Sequence, residues 1–217
     1  LGGIGVEFIH VSHSIADCAA LAIDTPAGMI IHTADFKFDQ TPVDGRVMDI
    51  RRFADLGARG VLVMLSDSTN ADRPGYTMSE RVVGDIFRNA FRDAPSRIFV
   101  TTFASHIERI QQVLDAAAGS GRRVAIVGRS MENNVRLALD LGYLHVEPGT
   151  LVDLDTLDSL PPNRAVIITT GSQGEPMSAL TRMAMSDHRK ISIVPGDTVI
   201  ISASTIPGNE RMIGSTI

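Results

Sequence analysis

From Gly60 onward the chain alternates short apolar runs with segments of helical periodicity, and no other feature constrains the fold as much. GVLVML (60–65), RIFVTT (97–102), RRVAIVG (122–128), AVIITTG (165–171) and TVIISAS (198–204) all have strand length and are rich in β-branched residues. Uninterrupted apolar runs of this kind suit strands buried on both faces, as in a parallel sheet. Between them, apolar residues recur at helical spacing: Val82, Val83, Ile86, Phe87, Ala90 and Phe91, then Ile107, Ile110, Leu114 and Ala117. Two more helices are predicted over 131–141, closed by Gly142, and over 176–185. Thr77-Met78-Ser79-Glu80 and Ser105-His106-Ile107-Glu108 read as capping boxes at helix starts. Strands separated by helices imply an α/β fold, its sheet mainly parallel and flanked by helices.

The first 65 residues are richer in strands. VEFIHVS leads to His13, AALAID and GMIIHTA are joined by the turn Thr25-Pro26-Ala27-Gly28, and 48–56 reads as a helix closed by Gly57. The change of character places a boundary between Ser66 and Pro74, dividing the chain into 1–70 and 71–217. The chain of 217 residues is long enough for one large domain or two small ones, each with a real core.

Several function classes drop out. No apolar run approaches the roughly 20 residues of a membrane span. Cys18 is the single cysteine, so an internal disulfide is excluded and a reducing, cytoplasmic setting is expected. The net charge of −5, with no Lys/Arg run, argues against a surface that binds nucleic acid everywhere, although a local basic groove fits. There is no G-x-S-x-G elbow or CxxC pair, and Gly171-Ser172-Gln173-Gly174-Glu175 lacks the spacing of a Walker loop. A chain that begins without Met and stops on Ile217 reads as a piece of a longer protein.

In open α/β sheets ligands gather beyond the carboxyl ends of the strands. The polar clusters fall there: HSIAD, HTADFKFD, SDSTN, TTFASH, GRSM, TTGSQGEP and SASTIPGNE. His13 and Asp35 end two of the runs, and imidazole with carboxylate suits zinc. Asp67 reads either as a turn residue or as a group that orients a histidine. Ser105 reads as a helix N-cap and also as an anion ligand. His10 and His32, inside strand patterns, read as packed or surface residues. On the residues alone, a non-catalytic phosphate- or nucleotide-binding module explains these clusters as well as an enzyme does.

Taken together and in order, VSHSIADCAALAIDTPAG, IIHTADFKFDQTP, LSDSTNADRPGYTMSE, FASHIERIQQ, GRSMENN, TTGSQGEPMSALTRMA and GDTVIISASTIPGNE closely resemble the bacterial ribonuclease J family. These are metallo-β-lactamase-fold nucleases with a β-CASP insertion. The resemblance implies that 1–70 is the later portion of the first metallo-β-lactamase segment and that 71–217 is a β-CASP domain incomplete at its C-terminal end. By position, His13 matches a histidine metal ligand and Asp35 the aspartate that bridges two zinc ions. Asp67 matches the acidic β-CASP residue that supports a site histidine, while Ser105 and Ser202 match hydroxyls that hold the terminal phosphate of RNA. Ala34 stands where the family usually has Gly. The His-x-His-x-Asp-His motif that supplies most metal ligands is not in the chain.

For the complete enzyme the resemblance implies zinc-dependent hydrolysis of RNA phosphodiesters, with Mn2+ or Mg2+ as alternative metals. The activity expected is a 5′-to-3′ exonuclease with endonuclease action, in RNA processing and decay. The implied substrate carries a 5′-monophosphate, and the implied assembly is a homo-oligomer, dimer or tetramer, with no membrane partner. With two ligands against the three or four protein donors of a zinc site, the chain alone is expected to be inactive. Another hydrolase of the same superfamily, acting on DNA or a small ester, is the remaining alternative.

Overall fold

The computed structural model describes residues 2–217, which form two compact units, the first ending at Val82 and the second starting at Val83.

In the first unit, β1 (Gly5–His10), β2 (Ala19–Thr25) and β3 (Gly28–His32) form an antiparallel meander, and β4 (Val63–Leu65) pairs parallel to β3. The Thr25 hydroxyl donates to the Gly28 carbonyl at 2.8 Å and closes the β2–β3 turn. Helix α1 (Ile50–Arg59) starts on Asp49, whose side chain accepts from the Arg52 amide, and stops at Gly60 (φ 95°) rather than at Gly57. Its Leu56 joins Ile9, Ala20, Ala22, Met29 and Ile31 in the core. The alternate residues of the sheet are apolar too, yet Val6 and Phe8 are exposed. GVLVML departs from expectation here. Its strand is only three residues long, and Val63, Met64 and Leu65 are all exposed, because β4 is the sheet's edge and neither of its faces is covered within this unit.

Residues 71–82 stay with the first unit because side chains hold them there. The Glu80 amide donates to Asp39 Oδ2 at 2.9 Å, Lys37 Nζ reaches Glu80 at 3.2 Å, and the Thr41 and Ser79 hydroxyls meet at 2.9 Å. Helix α2 (Arg81–Asp93) therefore begins beyond Thr77, and the Ser79 hydroxyl, not Thr77, accepts from its first amide.

The second unit carries the expected parallel sheet. Its strands are β5 (Ile98–Thr101), β6 (Arg123–Val127), β7 (Ala165–Thr169) and β8 (Thr198–Ile201), in the order β6-β7-β5-β8 and all parallel. The helices are α2, α3 (Ile107–Gly119), α4 (Arg129–Asp140), α5 (Leu154–Leu157), α6 (Ala179–Ala184) and α7 (Glu210–Thr216). Phe99, Ala125, Val127 and Ile167 pack with Leu157, Ala179 and Met183. The opposite parity, Ile98, Val100, Val124, Val166 and Ile168, is equally buried, as strands covered on both faces require. At Gly174 (φ 71°) the backbone of α7 comes so close that no Cβ fits. No helix of the described residues is long and apolar enough to cross a membrane.

Arg122, only 5% exposed, holds the carboxyl end of α2. It donates to the carbonyls of Phe91 at 3.0 Å, Ala94 at 2.6 Å and Ser96 at 2.8 Å, oxygens that the helix itself leaves without partners. Burial first, and then the charge of Arg164, push its guanidinium below the ordinary range. Arg122→Leu strands those carbonyls in the interior, and is expected to lower the stability of the second unit by about 3 kcal/mol. Thermal denaturation followed by circular dichroism reads this as a lower melting temperature.

Candidate functional site

The site in the first unit is assembled by three loops that leave β1, β3 and β4. Parallel pairing of β3 and β4 sends two of them off the same edge. There they are stitched together: the Thr33 amide donates to the Leu65 carbonyl at 2.9 Å, the Asp67 amide to the Thr33 hydroxyl at 2.9 Å, and the Phe36 amide to Asp67 Oδ2 at 3.4 Å. The third loop joins through the Lys37 amide, which donates to the Ser12 carbonyl at 2.7 Å. That bond lies one residue from His13 and two from Asp35.

His13 Nε2 stands 3.9 Å from Asp35 Oδ2, with the carboxylate 76% exposed and the imidazole 29%. Two donors on one zinc ion at ordinary bond lengths and a tetrahedral angle are roughly 3.4 Å apart, so a small side-chain adjustment lets this pair share an ion. Among the described residues no third His, Cys, Asp or Glu completes such a cluster. Asp67 lies in the same neighbourhood. Hydrogen bonds from the Thr69 amide and hydroxyl, then one from the Phe36 amide and the field of His13, hold its carboxyl below the usual range against the effect of burial. Asp67 is thus a fixed anion beside His13, its oxygens occupied by backbone amides.

Ala34 has φ 53°, in the left-handed region. The turn is braced by the Ala34 amide, which donates to His32 Nδ1 at 3.1 Å, and by the Thr33 hydroxyl, which donates to the Ala34 carbonyl at 2.8 Å. His32 is therefore an exposed strand residue that braces the turn, while His10 Nε2 lies 3.1 Å from the Arg46 carbonyl. Behind the turn sits Asp39, 4% exposed. Burial pushes its carboxyl up, but bonds from the Glu80 and Thr41 amides and the Ser79 hydroxyl, with the charge of Lys37, leave it below its ordinary value.

The two serines belong to the second unit. β5 and β8 are adjacent and in register from Ile98↔Thr198 to Thr101↔Ile201, so the loops carrying Ser105 and Ser202 leave one edge together. Ser202 is 9% exposed, and its amide donates to the Thr101 carbonyl at 2.8 Å. Its hydroxyl accepts from Arg109 Nη1 at 2.7 Å, and the same nitrogen reaches its carbonyl at 3.1 Å. Ser105 is exposed and does not cap α3. The cap is the neighbouring buried His106, whose Nδ1 accepts from the Arg109 amide at 3.4 Å, because the chain turns into the helix one residue later than the box pattern implies. The hydroxyls of Thr101 and Thr102 are buried at the same edge with no protein partner. Arg109 escaped the sequence reading. Its only signal was its place in the first turn of α3, where a cation opposes the helix dipole and so needs another reason to be there.

The chain is similar to known proteins. Residues 95–217 match the family model for the β-CASP domain of ribonuclease J. The chain is 46% identical over 217 residues to ribonuclease J of Helicobacter pylori (strain J99), covering all of this chain and 31% of that protein. It is 47% identical over 211 residues to ribonuclease J of Mycolicibacterium smegmatis, covering 97% of this chain and 38% of that one. To ribonuclease J of Thermus thermophilus it is 49% identical over 212 residues, covering 98% and 37%. The chain thus spans about a third of the length of these relatives. A crystal structure of a protein of unknown function from Enterococcus faecalis V583 shares the fold, with a TM-score of 0.60 and 17% identity over the whole of this chain and 57% of that one.

Two outcomes follow from the local geometry. Ala34→Gly removes a left-handed penalty of about 1–2 kcal/mol and adds back part of it as unfolded-chain entropy. Chemical denaturation is therefore expected to show a gain of roughly 0.5–1 kcal/mol. Asp39 is a depressed carboxyl, so its contribution is present above the unfolded value of 3.8 and is lost as the pH falls through its lower folded value. Asp39→Asn is expected to be less stable than the parent at pH 7, and the two denaturation curves are expected to converge in acid below 3.8.

Proposed function

The chain belongs to the ribonuclease J β-CASP family, and from that premise we propose that the protein containing it is a metal-dependent nuclease that hydrolyses RNA phosphodiesters. The single observation that carries the metal part of this reading is the approach of His13 and Asp35 to 3.9 Å on three stitched loops. His13 and Asp35 are the residues that would hold zinc, or Mn2+ or Mg2+, as part of a donor set of which this chain supplies two members. Bound metal supplies Lewis-acid stabilisation of the charge that develops on the phosphate oxygens during in-line displacement.

The chain's own residues orient the parts. The Lys37–Ser12 bond keeps the His13 loop against the Asp35 loop. Asp67, anchored by the Thr69 and Phe36 amides, places a fixed negative charge beside His13. In the second unit the Ser202 hydroxyl, gripped by Arg109, the exposed Ser105 hydroxyl and the unpartnered Thr101 and Thr102 hydroxyls suit a terminal phosphate. A 5′-monophosphate held there favours 5′-to-3′ removal of nucleotides, with endonucleolytic cutting when an internal segment is bound. The reading includes a cytoplasmic setting and a homo-oligomer.

The test uses the full-length protein with its natural flanks and 5′-monophosphorylated RNA, with and without a chelator. Cleavage is expected to stop on chelation and return with zinc or manganese, and Asp35→Ala and His13→Ala are each expected to lower kcat/KM by about 100-fold or more at an unchanged melting temperature. Chelator-resistant cleavage, or none even with added metal, would overturn the proposal. The 217-residue chain alone is expected to turn over little or no RNA.

A further inference from the structure

The GRSM cluster has no part in the site described above. It lies at the opposite side of the second sheet from Ser105 and Ser202, where the carboxyl ends of β6 and β7 open onto a broad groove of about 1500 Å³. The groove is bounded by α4, by the segment running from Leu151 into α5, by Ala179 and Arg182 of α6, and by His188, Arg189 and Lys190 beyond it.

Its lining combines two kinds of chemistry. Leu139, Leu151 and Leu154 give an apolar floor, while Arg129 at the start of α4, Arg182 on α6 and Arg189 beyond α6 add cations. Among the described residues Arg129 and Arg189 are exposed and make no ion pair or hydrogen bond, although they stand within a chain of net charge −5. Arg182 is half-buried and tethered to Asp187, which leaves part of its guanidinium free to serve a ligand. The lining also carries the carboxylates Glu132, Asp140, Asp153 and Asp155, against the cations Arg129, Arg136, Arg182, Arg189 and Lys190. Asp155 is taken by Lys190 at 2.7 Å, and Glu132 accepts from the Gly128 amide at 3.3 Å. The start of α4, where Arg129 stands, has no side-chain cap, so its first amides lack side-chain partners there. Asp153, also in the lining, is exposed and can accept hydroxyl protons.

We propose that this groove binds a nucleoside 5′-monophosphate, its phosphate on Arg129, Arg189 and Arg182, its base on the apolar floor, and its ribose hydroxyls toward Asp153. The combination is what decides the ligand class. Inorganic phosphate leaves the floor exposed, and an apolar ligand leaves two arginines unpaired, whereas a nucleotide satisfies both. The nucleotide is either free or a residue of a bound RNA strand.

The experiment uses the full-length protein with AMP as probe, observed by calorimetric titration, and does not depend on cleavage. The double variant Arg129→Ala/Arg189→Ala is expected to weaken one class of AMP sites by 10-fold or more while the melting temperature and cleavage of a short RNA are unchanged. Adenosine and inorganic phosphate are each expected to bind that class at least 10-fold more weakly than AMP. A 5′-hydroxyl RNA oligonucleotide displaces AMP from it if the occupant is part of a transcript, and leaves it in place if the occupant is a free nucleotide; either result upholds the site. Wild-type AMP stoichiometry and affinity in the double variant, or adenosine binding equal to AMP, would overturn it. Loss of cleavage in the parent protein, by contrast, bears on the nuclease reading alone.

Discussion

Parallel pairing is the constraint on which the functional geometry of both units rests. When neighbouring strands run the same way, their carboxyl ends share an edge and the loops that follow must meet there. In the first unit this applies to one pair only, β3 with β4, and that pair brings Thr33 to Asp67. In the second unit it applies to all four strands, so Ser105 and Ser202 leave one side of the edge and Gly128 and Thr170 the other. An antiparallel β4 would send Asp67 to the far end of the sheet. The hydrogen bond from its amide to the buried Thr33 hydroxyl depends on that parallel register.

Holding an exposed carboxylate in a fixed place requires the backbone to be fixed instead. Asp35 is 76% exposed, so neither packing nor burial can position it. The loop is immobilised by the Thr33–Leu65 and Lys37–Ser12 bonds on either side, and by a left-handed Ala34 between them. The left-handed residue costs about 1–2 kcal/mol, while the bonds from Ala34 to His32 and from Thr33 to Ala34 are worth about 1 kcal/mol each. Strain and bracing are of similar size. The turn therefore persists as a defined conformation with little net cost, and the side chain beyond it is presented to solvent without being free.

The strands were legible because their signal is local: β-branched runs bounded by turns gave seven of the eight strands of the described residues close to their observed limits, from Gly5–His10 to Thr198–Ile201. GVLVML misled in its length and its environment. Its residues are those of a two-sided core strand, and only three of them pair, at an edge that this unit leaves uncovered. The caps misled for another reason. Ser-x-x-Glu and Thr-x-x-Glu are local patterns, but the starts of α2 and α3 are decided by Asp39 gripping Glu80 across 41 residues and by His106 taking the cap. His13, Asp35 and Asp67 could be singled out as strand-end polar residues, whereas Arg109 could not. Its partner Ser202 is 93 residues away, and only the β5–β8 register joins them.

Net charge alone says little about where cations stand. A chain carrying −5 overall reads as unsuited to binding nucleic acid over its whole surface while leaving room for a local basic groove, and its cations are not spread evenly. Arg122 and Arg97 are consumed inside the fold, the first by three carbonyls and the second by Asp197 at 2.5 Å and the Ser192 carbonyl at 2.9 Å. Arg52 is spent on Glu7 at 2.6 Å, and Arg46 on Asp17 at 3.1 Å. Among the described residues, those left to meet a ligand, Arg129 and Arg189, line the groove on the β6–β7 side of the second sheet's carboxyl edge. Affinity for phosphate depends on the field at that edge within about a Debye length, roughly 8 Å at physiological salt, and acidic residues elsewhere on the surface are screened from it. An acidic protein can therefore hold phosphate groups locally while repelling nucleic acid from the rest of its surface, which confines binding to the places where the fold has put the cations.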